Sequence, residues 1–304
     1  MDSLKNIGLE MVRVTEAAAI SASRWVGSGD KIAADTAAVD AMRKRLDSLN
    51  IRAEIKIGEG KKDKSAGLFQ GEFVGSGPDL LYDIAVDPIE GTTPTAEGGP
   101  EALSVMAFSG HNTMFTTEAH YMLKLACGPR LAKAGLSLEH PLDYNLKLAA
   151  DWLNKPLNQL TVCMLKRPRH DVFVAVARKL GVRLKLIQDC DVSAGIAACL
   201  PDSGIDIQYG IGGAPEAVIT AAAIKCMGGH FQGQVWPNDC PDWGEPILGI
   251  EDLVAGPCCF VGTGITNGSM LKGVRWDGRG PITHSVFMRS NSGTVRFIES
   301  WHGN

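Results

Sequence analysis

From residue 161 onward the chain alternates short apolar strands with amphipathic helices, and this rhythm narrows its fold more than any other feature. Strands are expected at 161–165, 182–187 and 205–209, and helices at 171–180, 192–200 and 215–227. A βαβαβα order implies a parallel sheet, because each helix returns the chain to the edge where the previous strand began. All strand-to-helix loops then leave one edge of the sheet. Lys166-Arg167-Pro168-Arg169-His170, Asp189-Cys190-Asp191 and Gly210-Ile211-Gly212-Gly213-Ala214-Pro215-Glu216 should therefore face a common crevice, the usual place for a ligand in such a sheet. His170 is expected there as a donor that orients its loop.

The preceding residues read as α/β of a different order. Leu4, Ile7, Met11 and Val14 mark one amphipathic helix, ending near Gly27. A second helix is expected at 31–49, with Val39, Met42, Leu46 and Leu49 as its apolar stripe. One turn before Val39 lies Asp35, a carboxylate on the core side. It either pairs with Lys31 along the helix or serves a cation or donor that justifies its burial. A strand at 54–57 leads to Glu59 between Gly58 and Gly60, and another at 80–86 should stop at Asp87-Pro88, since proline cannot donate to a ladder. The tail should form a hairpin of 285–289 with 294–298.

Composition excludes several classes of function. The 304 residues suit two domains or one large layered one, and a formal charge of −4 without basic blocks argues against nucleic acid or an anionic membrane as partner. Eight cysteines without a Cys-x-x-Cys spacing, most of them in apolar runs, read as reduced core thiols. The N-terminus lacks the apolar core of a signal peptide, so a cytoplasmic location is expected. The uncharged run 253–271 is broken by Gly and Pro and reads as strand and loop instead of a membrane span.

Chemistry points to Asp87-Pro88-Ile89-Glu90-Gly91-Thr92. A tight turn here can aim both carboxylates at one hard divalent cation, Mg²⁺ or Mn²⁺, with a hydroxyl nearby to orient water. Alone, the string also fits a polar turn after a strand.

The ordered motifs together resemble the class II fructose-1,6-bisphosphatases, relatives of the lithium-sensitive inositol monophosphatase group. The resemblance spans nearly the whole chain: Gly29-Asp30-Lys31 with Asp35, Ile57-Gly58-Glu59-Gly60, Asp83 to Thr92, Pro168-Arg169-His170-Asp171, Tyr209 to Glu216, and Thr263-Gly264-Ile265-Thr266 with Thr283-His284-Ser285. It implies a layered αβαβα sugar-phosphatase fold, with a metal-binding α/β domain over 1–135 and a sugar-phosphate-binding βαβ domain over 136–304. It implies metal-dependent hydrolysis of the 1-phosphate of fructose 1,6-bisphosphate, in a homo-oligomer. Asp35, Glu59, Asp87, Glu90 and Glu216 match the metal carboxylates. Thr92 matches the threonine that activates water, Asp35 is either a ligand or its base, and Lys31 lies beside the site. Glu90, Gly91, Thr92, Tyr121, Arg167, Pro168, Arg169, Asp189, Cys190, Asp191 and Gly213 match substrate contacts. Alternatives are a dual fructose-1,6-/sedoheptulose-1,7-bisphosphatase, an inositol-monophosphatase-like enzyme and a non-catalytic sugar-phosphate-binding regulator.

Some positions depart from the family pattern. Cys190 stands where glycine is usual and invites the expectation of peroxide sensitivity. Leu123 replaces an acidic residue, Arg167 a common lysine, and the segment 234–248 is short.

Overall fold

The computed structural model describes residues 7–59, 67–78, 81–236 and 246–303. In chain order its elements are α1 (Gly8–Ser23), α2 (Lys31–Asp47), β1 (Arg52–Ile57), β2 (Phe73–Val74), β3 (Leu81–Glu90), α3 (Thr92–Glu97), β4 (Leu103–Gly110), β5 (Tyr121–Cys127), α4 (Leu142–Leu153), β6 (Thr161–Leu165) and α5 (Asp171–Lys179). There follow β7 (Arg183–Ile187), α6 (Asp191–Ala197), β8 (Ile207–Gly213), α7 (Ala214–Met227), β9 (His230–Trp236), β10 (Ile247–Gly249), α8 (Ile250–Leu253), β11 (Cys258–Gly264), β12 (Arg275–Trp276), β13 (Pro281–Arg289) and β14 (Thr294–Trp301). The protein is thus mixed α/β. Among the described residues no helix is long and apolar enough to cross a membrane.

Two compact units emerge, one of residues 1–116 with 254–304, the other of 117–253. This differs from the expected division at 135/136. After the second unit the chain returns to the first, where β11 pairs with β4 over seven residues and β13 pairs with β11.

The first unit is built on an eight-stranded sheet of order β12-β13-β11-β4-β3-β1-β2, with β14 on the far side of β13. Only β1 and β3 run parallel; the rest of the ladder is antiparallel. The buried stripes of α1 (Met11, Val14, Ala18) and α2 (Val39, Met42, Leu46) join Ile55, Ile84 and Phe108 of the sheet in one core. Each such large side chain contributes roughly 1.5–3 kcal/mol when fully buried. Asp30 caps α2 by accepting from the Ala33 N–H at 2.9 Å. The strand expected to stop at Asp87 runs on to Glu90. Proline is accommodated because the β3–β4 register slips between Asp87 and Glu90, a bulge at the one residue that cannot donate. Fully buried Asp83 secures the turn after β4, accepting from the N–H groups of Thr113 at 2.7 Å and Met114 at 3.0 Å and pairing with His111 Nδ1 at 3.2 Å.

The second unit carries a six-stranded sheet of order β10-β9-β5-β8-β6-β7. The parallel arrangement holds for β6, β7 and β8 alone; β5, β9 and β10 join antiparallel, so the sheet is mixed. β8 is also longer than expected, and Gly210 to Gly213 lie on it instead of in a loop. Ten of the fourteen residues of α7 are buried, as its long apolar run requires. The tail hairpin forms with longer arms than the sequence implies. Among the described residues the cysteines at 127, 163, 190, 199, 226, 258 and 259 are buried and lie outside any disulfide. Leu4, Gly60 and residues 237–245 of the short segment 234–248 lie outside the described residues.

Candidate active site

In the first unit, the end of β3 and the start of α3 collect the acidic motif. Glu90 is 5% exposed and Asp87 half-buried, and they offer carboxylate oxygens within 4.8 Å of one another. Across the bulge the two side chains, three residues apart, are brought close without the regular alternation of a strand. Gly91, at φ 97°, makes the left-handed step that lets α3 start at once, with Thr92 its first residue. The Thr92 hydroxyl makes only a long contact of 3.4 Å to the Ile89 carbonyl. Lys31, the first residue of α2, donates from Nζ to Thr93 Oγ1 at 2.9 Å, so its ammonium is anchored on α3 and not on Asp35. Asp35 is half-buried one turn along α2, and Glu59 half-buried just past β1, its N–H donating to the Leu68 carbonyl at 2.9 Å. Lys31, Asp35, Glu59, Asp87, Glu90, Gly91 and Thr92 thus all belong to this unit.

In the second unit the loop after β6 forms a 3-10 turn, Pro168–His170. Arg167 Nη2 donates to Asp189 Oδ1 at 2.6 Å, joining the loops after β6 and β7. Arg169 donates from Nε and Nη2 to the Ile211 carbonyl at 3.1 and 3.0 Å and lies over the Tyr121 ring, 4.6 Å from its centroid. Both guanidinium groups are therefore held before any ligand arrives, an arrangement that suits an oxyanion.

His170 departs from its expected role. Its Nε2 accepts from the Ile211 N–H at 2.6 Å, so the ring is a neutral acceptor at this nitrogen. Burial, followed by the charges of Arg169 and Arg167, pushes it down to about 4. Cys190 caps α6 at φ 71°, the left-handed region that favours glycine, and is 6% exposed. Oxidation of a thiol follows exposure and thiolate character, so this burial removes one of the two supports for peroxide sensitivity.

At the β8–α7 junction two glycines are needed for space. A Cβ on Gly212 would lie 1.8 Å from Asp191 Oδ2, and one on Gly213 would lie 1.7 Å from Glu216 Oε2. Glu216, in the first turn of α7, keeps Oε2 sealed from solvent and without a hydrogen bond. Burial pushes its carboxyl up, Lys124 draws it down and Asp191 pushes it further up. Hard oxygens with an unsatisfied buried member are the donor set a divalent cation fits. The sequence reading overlooked Lys124, whose Nζ donates to Asp191 Oδ2 at 2.8 Å with both side chains buried. Its signal was present: it is the lone charge in the seven-residue strand Tyr121–Cys127.

Carboxylates for a hard cation, a helix-borne threonine and fixed guanidinium groups, on an α/β frame, define the class of metal-dependent phosphate-ester hydrolases. The chain matches the family described as bacterial fructose-1,6-bisphosphatase, glpX-encoded, over residues 5–302, and it belongs to that family. It is 42% identical over 319 residues to the fructose-1,6-bisphosphatase class 2 of Haemophilus influenzae, covering 97% of this chain and 96% of that protein. It is 40% identical over 321 residues to fructose-1,6-bisphosphatase 1 class 2 of Escherichia coli strain K12, covering 98% and 95%.

Proposed function

We propose that this chain hydrolyses the 1-phosphate of fructose 1,6-bisphosphate in a metal-dependent reaction, releasing fructose 6-phosphate and phosphate. The family match along the whole chain carries the reading. The relatives bear the bisphosphatase name and give no support to an inositol-phosphate enzyme or a non-catalytic regulator.

Asp87 and Glu90, with Asp35, Glu59 and Glu216, are the residues that would hold Mg²⁺ or Mn²⁺. Such an ion, when bound, neutralises phosphate oxygens and lowers the pKa of an attacking water. Thr92, with a weakly committed hydroxyl, orients that water, and Lys31 secures the start of α3 through Thr93. Arg167 and Arg169 clamp the phosphate that is not cleaved. Because both are already fixed, little orientational freedom is lost when the substrate binds. Tyr121, Pro168, Asp189, Cys190, Asp191 and Gly213 line the sugar. In this division of labour the first unit supplies most of the metal ligands and the second holds the sugar.

The test is phosphate release from fructose 1,6-bisphosphate with Mn²⁺, Mg²⁺ or EDTA, beside Thr92→Ala. Metal-dependent release is expected, with kcat lowered by about 100-fold or more in the variant. No release with either ion would refute the reading. Asp35→Asn separates two roles: weakened Mn²⁺ binding makes Asp35 a ligand, whereas intact binding with lost turnover makes it the base serving Thr92. Homo-oligomeric assembly is checked by light scattering, where a monomer mass would remove it.

A further inference from the structure

Lys124 lies in the interior of the six-stranded sheet, on a strand paired on both sides, yet its side chain is 1% exposed. An ammonium there is costly, and an apolar residue of similar volume, with a neutral partner, would commonly serve stability as well or better. Its ladder partners explain how it fits. Lys124 faces Gly210 on β8 and Gly233 on β9, two residues that bring no side chain of their own into the pair. Its Nζ reaches Asp191, whose Oδ2 accepts from it at 2.8 Å and packs where Gly212 has no Cβ. Gly212 and a buried cation thus fix one carboxylate at the head of α6.

We propose that Lys124 is a positioning residue for sugar binding: it holds Asp191 Oδ2 so that Oδ1 is presented in a fixed orientation to a hydroxyl of the fructose ring. The inference rests on the reading of Asp191 as a sugar contact. Neutral Asn at 191 keeps the shape but loses the charged acceptor, and Met at 124 keeps the stem but loses the ammonium. Both changes act on substrate binding more than on turnover, since neither residue is assigned to the reacting phosphate.

The test is a double-mutant cycle of Lys124→Met and Asp191→Asn, with KM and kcat for fructose 1,6-bisphosphate at saturating Mn²⁺ and thermal denaturation of each variant. Each single change is expected to raise KM at least about tenfold with a smaller change in kcat, and the double variant to be no worse than Asp191→Asn alone. A structural role for Lys124 would instead give multiplying losses or lower kcat without moving KM, and either result, or unchanged kinetics, overturns the proposal. If Asp191→Asn leaves KM unchanged, the sugar-contact reading itself fails. If Lys124→Met is too unstable to assay, the double variant, whose pair is neutral, is compared with Asp191→Asn: a further loss beyond that variant overturns the proposal, and equal kinetics supports it.

Discussion

His170 shows how one side chain couples the loop after β6 to folding. It accepts from Ile211 on one strand while preceding α5, and burial beside two arginines keeps it neutral down to about 4. The unfolded chain takes up its proton near the ordinary value of 6.5. The folded form therefore loses stability as pH falls from about 6.5 to about 4, by roughly 3 kcal/mol at most, and nothing is lost above that window. Urea denaturation at pH 7.5 and pH 4.5 should show a smaller gap in His170→Asn than in the wild type; an equal gap would exclude His170 as its source. Cys190 offers a second case. Glycine at φ 71° relieves strain of about 1 kcal/mol while removing a buried thiol of similar worth, so Cys190→Gly should change stability by less than about 1 kcal/mol. Cys190→Val, β-branched at positive φ, should lose more than about 2 kcal/mol. Thermal melts of the two variants decide this.

At the scale of elements, the repeating pattern from residue 161 could be read because each helix and strand there carries its own period. Strand 161–165 falls where expected, and helix 171–180 differs by one residue. The antiparallel half of that sheet could not be read, since which strands become neighbours depends on long-range pairing and β5 meets β8 only after some 80 residues. The candidate site residues were named from their motifs. Lys124 and the acceptor role of His170 were not, because both depend on partners distant in sequence. Two elements depend on single carboxylates. Asp30→Ala should cost about 1 kcal/mol by uncapping α2, the helix that carries Lys31 and Asp35. Asp83→Ala, which strips the N–H groups of Thr113 and Met114 and His111 of their acceptor, should cost about 3 kcal/mol. Chemical denaturation of both variants measures the difference, and equal losses would contradict the roles given to the two carboxylates.

For the whole molecule, the decisive fact is that one unit is continuous and the other is not. Residues 117–253 contain their own sheet and a core of Leu125, Leu146, Val162 and Ile211. A fragment of these residues is expected to melt cooperatively with native-like secondary structure. Residues 1–116 alone lack β11 and β13 and should remain unfolded or aggregate, and circular dichroism of the two fragments checks both outcomes. A cooperative melt from 1–116 would contradict the sheet's dependence on its returning strands.

The same discontinuity sets a schedule for synthesis on the ribosome. β4, buried along almost its whole length, emerges with its β11 edge bare, and the strand that covers it is translated some 150 residues later. At about 5–20 residues per second that interval is roughly 7–30 s, long enough for an apolar strand edge to seek another chain. The inserted unit can close during the wait, so folding in the cell runs from the middle of the sequence outward, and the nascent first unit is where chaperone attention is most needed.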